Sequence, residues 1–374
     1  MTRRIPQLDA VRGIAILLVM LHNQRETFPS LHLDRLFANG WMGVDLFFVL
    51  SGFLITGILL DTRHADNYFG NFYARRCLRI WPLYGALLVF MFAVVPRLGA
   101  AEARTVFEKS SPWWAYPLFL QNLLVPVPTS AAGPLAVTWS LAIEEQFYLV
   151  WPFVVRFLSR AAVRRLAVAV IGLSPLLRLY LSSHGVNLYT NVFCRLDGLM
   201  AGALLALFVR SDAPAPSRFT RLAWASLAIV VPLAYAAEAA GSRWIVFSLS
   251  AAASTAFIYL ALFSDHRWLR RALTSRALVY TGTISYGLYL LHKIPFDAAK
   301  GFGADRHPLV ALPILFAACY ATAALSWIVL ERPFLRLTPS TASTASRATP
   351  TSLSTSASVT TSGGAKNRMS PCAG

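Results

Sequence analysis

The chain has 374 residues, of which 56% are hydrophobic and only 14% charged. That is far too apolar for an ordinary soluble domain and predicts an all-α polytopic membrane protein, with the lipid bilayer as its first partner. The formal net charge of +17 does not mark a nucleic-acid binder, because the basic residues collect in alternate loops between apolar runs.

Taken in chain order, apolar length and flanking Pro, Gly and charge predict spans at 8–24, 40–60, 78–97, 135–157, 163–183, 191–209, 219–239, 244–263, 278–297 and 308–330. This is a bundle of about ten transmembrane helices. One set of loops and termini holds 22 of the 34 basic residues, so the positive-inside rule places both termini in the cytoplasm. Arg3 and Arg4 precede the first run as in a signal peptide. Asp9 and Arg12 interrupt that run, however, and no small-residue cleavage site follows, so the first span is expected to stay. Between the third and fourth spans, PWWAYPLFLQNLLVPV is too short to cross and rich in Trp and Tyr, which predicts an external interfacial or re-entrant element. Residues 1–337 form the membrane domain, and 338–374, dominated by Ser, Thr and Ala, are expected to be a disordered cytoplasmic tail.

Ionisable residues within spans are costly and mark candidate sites. With a rise of about 1.5 Å per residue, His22, Asp45, Glu144, Glu145, Asp197 and His292 fall in one layer of the outer half, while Arg12 lies near the cytoplasmic edge with Arg75, Arg76 and Arg79. A phosphate-bearing donor suits the arginine mouth, and a proton transfer suits the layer above. His22 is a candidate general base, or else a helix-end histidine bonded to a backbone carbonyl. Glu144 and Glu145 are about 100° apart on a helix, so only one faces a common partner. Asp45 and Asp197 are either substrate-binding or salt-bridge partners of Arg195 and Arg178. Tyr286, Tyr289 and His292 share one helical face, which either packs or lines a sugar-accepting cavity. Ser51 and Ser140 are possible nucleophiles without a recognisable elbow. Cys77, Cys194, Cys319 and Cys372 lack the paired spacing of a metal or redox site, so no metal is expected.

The strings LDAVRGIAILLVMLH, GVDLFFVLSGFLIT, FYARRCLRIWPLY, LFLQNLL, TWSLAIEEQFYLVWPF, RLDGLMAGALLA, SYGLYLLH and LERPF, in that order, resemble acyltransferase family 3 over about residues 5–336. The family comprises bacterial integral-membrane O-acyltransferases that modify surface polysaccharides and related acceptors. The resemblance implies a multi-pass inner-membrane enzyme with acyl-CoA, most simply acetyl-CoA, as donor and a carbohydrate or glycolipid hydroxyl as acceptor, working beside envelope-biosynthesis partners. It maps the family's first-span Arg and His onto Arg12 and His22 and its R-x-x-R pair onto Arg76 and Arg79, with Glu144 and Glu145 in the fourth span. One departure is that nine residues, not the usual ten, separate Arg12 from His22, turning their side chains about 80° apart on an ideal helix. The resemblance thus suggests His22 as base, Glu145 or Glu144 to orient it, and the arginines to hold the phosphates. The competing class is a membrane transporter for a lipid-linked sugar or anion, for which the sequence shows no clear internal repeat.

Overall fold

A computed structural model describes residues 5–24, 27–31, 37–98, 111–124, 133–211, 217–300 and 306–338. The Ser/Thr/Ala-rich tail, apart from residue 338, lies outside them. The described residues are helical, with no strand among them. The principal helices are α1 (Pro6–Gln24), α2 (Met42–Asp61), α3 (Tyr68–Val89), α4 (Thr138–Phe157), α5 (Arg160–Ser182), α6 (Leu196–Val209), α7 (Ser217–Ala239) and α8 (Arg243–Phe263). They are followed by α9 (Arg267–Leu273), α10 (Arg276–Thr283), α11 (Ser285–Leu291), α12 (Lys293–Lys300), α13 (Pro308–Ser326) and α14 (Arg332–Arg336).

Six stretches among the described residues are long and apolar enough to cross a membrane: Met42–Asp61, Tyr68–Arg97, Arg160–Ser182, Arg218–Ala239, Arg243–Phe263 and Pro308–Arg336. The other predicted spans are helical but differ from simple crossings. α1 and α4 carry ionisable groups at Asp9, Arg12, Glu144 and Glu145, and α6 has only 14 residues. The ninth predicted span is not one helix. It breaks at Ile284 and His292 into segments of 8, 7 and 8 residues. Irregular backbone at membrane depth is tolerated where it is buried in protein or lines a cavity.

α2 is the central helix, with 78% of its apolar window buried, whereas α7 buries only 11% and lies at the periphery. Close helix crossings fix the centre. At Gly52 of α2 an added methyl would strike the Leu199 carbonyl of α6, and at Gly202 of α6 one would strike the Val49 carbonyl of α2. With no hydrophobic drive between helices in lipid, such small residues let backbones approach closely enough to gain dispersion energy. Beside them Trp151 Nε1 donates to Thr56 Oγ1 at 2.8 Å, joining α4 to α2. Tyr68 and Tyr73 of α3 donate to the carbonyls of Pro152 and Leu149 at 3.0 and 2.8 Å. These bonds set α3 beside α4 and bring the α3 arginines towards the α4 carboxylates.

The helix ends gather into two faces. At one, Arg210 at the end of α6 makes paired contacts of 2.7 Å with Asp61 at the end of α2, and Arg63 donates to the Arg156 and Leu158 carbonyls at the end of α4. We call this the first face; α1 and α3 start there. The Trp/Tyr-rich segment packs on α3 and α4 towards the other face through Tyr84 to the Tyr116 carbonyl (3.0 Å) and Gln146 Nε2 to the Phe119 carbonyl (2.7 Å). Phe119 holds a φ of 54° there, a conformation bulky residues rarely adopt. Its ring stacks on Tyr84.

Candidate active site: two cavities end to end

The first cavity, of about 230 Å³, runs along α2 from Ile58 near the first face to Val44 and is walled by α1, α3, α4 and α11. Arg12, Arg76 and Arg79 line it, with Ser51, Ser140, Glu144, Tyr148, Tyr286 and Tyr289. Helical phase explains the arginines: Arg76 and Arg79 are three positions apart, so one face of α3 presents both. The Arg76 guanidinium sits 5.2 Å from the centre of the Tyr148 ring. The Tyr148 hydroxyl is hydrogen-bonded to Ser51, and Glu144 lines the cavity with them. Arg12 also pairs with Asp9 one turn below it at 3.0 Å.

Of the adjacent carboxylates, Glu144 lines the cavity and Glu145 does not. Glu145 keeps one oxygen buried without a hydrogen-bond partner, and Arg76 is the opposite charge that acts on it. Arg75 lines neither cavity. Tyr286 reaches the first cavity while donating to the Ile80 carbonyl at 2.8 Å.

The second cavity, of about 190 Å³, lies at the opposite face. His22 and Asn23 at the end of α1 line it, with Glu238, Arg243, Lys293 and an aromatic wall of Trp41, Trp139, Tyr189, Phe247 and Tyr289. His22 Nδ1 lies 3.0 Å from the Phe37 carbonyl. Because a carbonyl only accepts, Nδ1 carries the proton, and in the neutral ring Nε2 then holds the lone pair that a general base uses. A backbone carbonyl therefore sets the His22 tautomer, while Glu144 belongs to the other cavity. α1 is α-helical throughout Pro6–Gln24, with no bulge to realign Arg12 with His22. The two stand about 15 Å apart along the helix, one in each cavity.

His292 is fully buried and lines neither cavity. Its Nδ1 donates to the carbonyls of Leu288 and Tyr289, and its Nε2 accepts from Asn23 at 3.0 Å. It thereby pins the break between α11 and α12 to the end of α1.

Asp45 and Asp197 are also outside both cavities. Asp45 pairs with Arg195 at 2.5 Å and Asp197 with Arg178 at 2.9 Å, all four side chains being buried. Arg178 further donates to the Cys194 and Trp244 carbonyls. The Arg195 guanidinium lies 4.0 Å from the Phe247 ring centre and within 6.0 Å of Trp41, Phe48, Trp139 and Tyr189. The two ion pairs lock α2, α5, α6 and α8 behind the aromatic wall, so these aspartates support the second cavity and do not line it.

Of the aromatic wall, sequence reasoning singled out Tyr289 but not Trp41, Trp139, Tyr189 or Phe247, nor did it single out Asn23, Glu238, Arg243, Lys293 or Tyr148. For those of the second cavity, positions near helix ends beside loops were the available signal, since loops at one face converge on one site, whereas Tyr148 lies mid-helix and had none. Glu331 of the LERPF string is turned inward by a π-helical segment, Trp327–Glu331, and accepts from Ser326 at 3.0 Å. Among the described residues, no group of three or more His, Cys, Asp or Glu is arranged to hold a metal ion.

The described residues thus form a helical domain with an arginine-lined cavity next to a histidine-bearing one. The chain belongs to acyltransferase family 3, whose model, described as an acyltransferase domain, matches residues 5–331. It is 28% identical over 356 residues to the peptidoglycan O-acetyltransferase OatA of Listeria monocytogenes, covering 88% of this chain and 55% of the relative. It is 27% identical over 360 residues to a Staphylococcus aureus protein provisionally named an O-acetyltransferase, covering 89% and 57%. The chain thus spans about half the length of the curated relatives it matches. No solved structure matches it.

Proposed function

We propose that the chain is a ten-crossing inner-membrane O-acyltransferase that moves an acyl group, in the first instance acetyl, from cytoplasmic acyl-CoA to a carbohydrate hydroxyl on the other side. The observation that carries this reading is the end-to-end placement of two cavities with unlike chemistry. Arg12, Arg76 and Arg79 offer forked, permanently charged donors suited to the phosphates of the donor. A cavity of about 230 Å³ is smaller than the roughly 300–1,000 Å³ of sites for drug-sized ligands, so it admits the thioester end and leaves the nucleotide at the mouth. The second cavity has the rings and mixed polar groups that a sugar requires.

In this scheme Nε2 of His22 takes the proton of the acceptor hydroxyl as its oxygen bonds to the acyl carbon. The carbon–sulfur bond breaks, and the proton passes to the departing sulfur. The Listeria relative, named as a peptidoglycan O-acetyltransferase, makes a peptidoglycan sugar the first acceptor to try.

The test is transfer of radiolabelled acetyl from acetyl-CoA to muropeptides by the protein in lipid nanodiscs. Base-labile label on the sugar is expected, and lost in a correctly folded His22→Ala variant. Undiminished transfer by that variant overturns the role of His22. Accumulation of a solute in proteoliposomes without acyl transfer overturns the enzyme in favour of a carrier.

A further inference from the structure

The first and second cavities share two lining residues, Val44 and Tyr289. Tyr289 stands on α11, the seven-residue middle segment of the broken span. Its hydroxyl is 2.5 Å from that of Ser140 and donates to the Val137 carbonyl at 3.2 Å. Its ring meets Phe47 edge-on at 5.9 Å. The side chain is thus fastened across from α11 to the start of α4, at the place where the two cavities abut.

Its backbone is fastened as well. An added methyl at Gly287, two residues earlier, would meet Ser326 Oγ and Glu331 Oε1, so α11 rests closely on the helix behind it. The end of α11 is tied to α1 through Asn23 and His292. A tethered side chain on a fixed backbone can open by rotation about χ1, breaking its hydroxyl contacts without moving a helix.

We propose that Tyr289 is a positioning residue that separates the donor cavity from the acceptor cavity and so determines whether an acyl group passes to a hydroxyl or to water. This rests on the acyl-transfer reading above. With Tyr289 across the junction, water from the second face is kept from a thioester held below. When an acceptor fills the second cavity, its hydroxyl takes the place water would occupy. Without the partition, a water oxygen bonds to the acyl carbon, the carbon–sulfur bond breaks, and free acid and thiol leave.

The experiment uses a full-length variant lacking its native cysteines, with Leu54→Cys in the first cavity as a probe. A membrane-impermeant thiol reagent is added from one face at a time to oriented vesicles. Labelling is expected from the first face only. With Tyr289→Ala, labelling from the second face rises at least about tenfold, acceptor-independent hydrolysis of acetyl-CoA rises, and the ratio of transfer to hydrolysis falls by about the same factor. Tyr289→Phe keeps the ring and removes its tether, so it lies between the two and carries the test if the alanine variant does not fold.

Second-face labelling that is unchanged in every folded variant overturns the partition, whatever the activity. Raised labelling with an unchanged transfer-to-hydrolysis ratio overturns the selectivity role. Raised labelling in a protein whose parent transfers no acyl group supports the barrier and overturns the acyl-transfer reading on which the selectivity rests.

Discussion

His22 and Arg12 share one unbroken helix and serve different cavities, so their losses should look different kinetically. His22→Ala removes a proton acceptor and is expected to lower the rate of transfer by on the order of 10²–10⁴, with the acetyl-CoA KM little changed. Arg76→Ala or Arg79→Ala removes a charge-assisted contact of about 1.5–3 kcal/mol, which appears as a roughly 10- to 100-fold rise in that KM. Lysine at either position restores the charge without the fork and recovers only part of the loss. Steady-state titrations of donor and acceptor separate these effects. The sequence brought Arg12, Arg76, Arg79, Glu144, Tyr286 and Tyr289 to attention, and all six line the first cavity. What it could not resolve was which of two adjacent carboxylates faces inward, because 100° of helical phase has meaning only once the neighbour's direction is known. Asp45 and Asp197 were ambiguous for a related reason: a buried charge demands a partner, and sequence alone does not distinguish a substrate from an arginine 150 positions away.

At the scale of elements, the apolar runs were legible because bilayer thickness imposes a length on them. The broken span was not, because its apolar length reads as one continuous helix even though Gly282, Gly287 and Pro295 lie within it near the breaks at Ile284 and His292. The start of α3 was placed ten residues late, because YFGNFYARRC is amphipathic and helical without being hydrophobic enough to count as a span. Two predictions belong here. Gly52→Val or Gly202→Val should push α2 and α6 apart, costing about 1–3 kcal/mol or abolishing a folded yield, read as lowered thermal stability in detergent. Arg195→Met alone should cost about 3–5 kcal/mol by stranding Asp45, while adding Asp45→Leu should recover most of it. A double change no better than the single one would mean that the aromatic cage requires its cation.

For the whole molecule, side is the property on which function turns. The Asp61–Arg210 pair, the Arg63 contacts and the arginine-lined cavity lie towards the same face, which the charge distribution predicts to be cytoplasmic. A reporter joined after residue 338 should therefore read cytoplasmic, and one inserted at Gly185 between α5 and α6 should read external. The opposite result would turn the arginines away from the cellular acyl-CoA pool and remove the donor from the scheme. Both cavities depend on residues far apart in sequence, α1 with α11 and α2 with α6, so the arrangement of chemistry became visible only when the helices were placed.

The aromatic wall also makes the protein its own optical sensor. Trp41 and Trp139 border the second cavity, and no tryptophan borders the first. Indole emission changes with the polarity of its surroundings, so a sugar displacing water from that wall should alter intrinsic fluorescence, whereas donor filling the first cavity should leave it nearly unchanged. Occupancy of one chamber can then be followed in real time without a label. Trp139→Phe and Trp41→Phe identify which ring reports it.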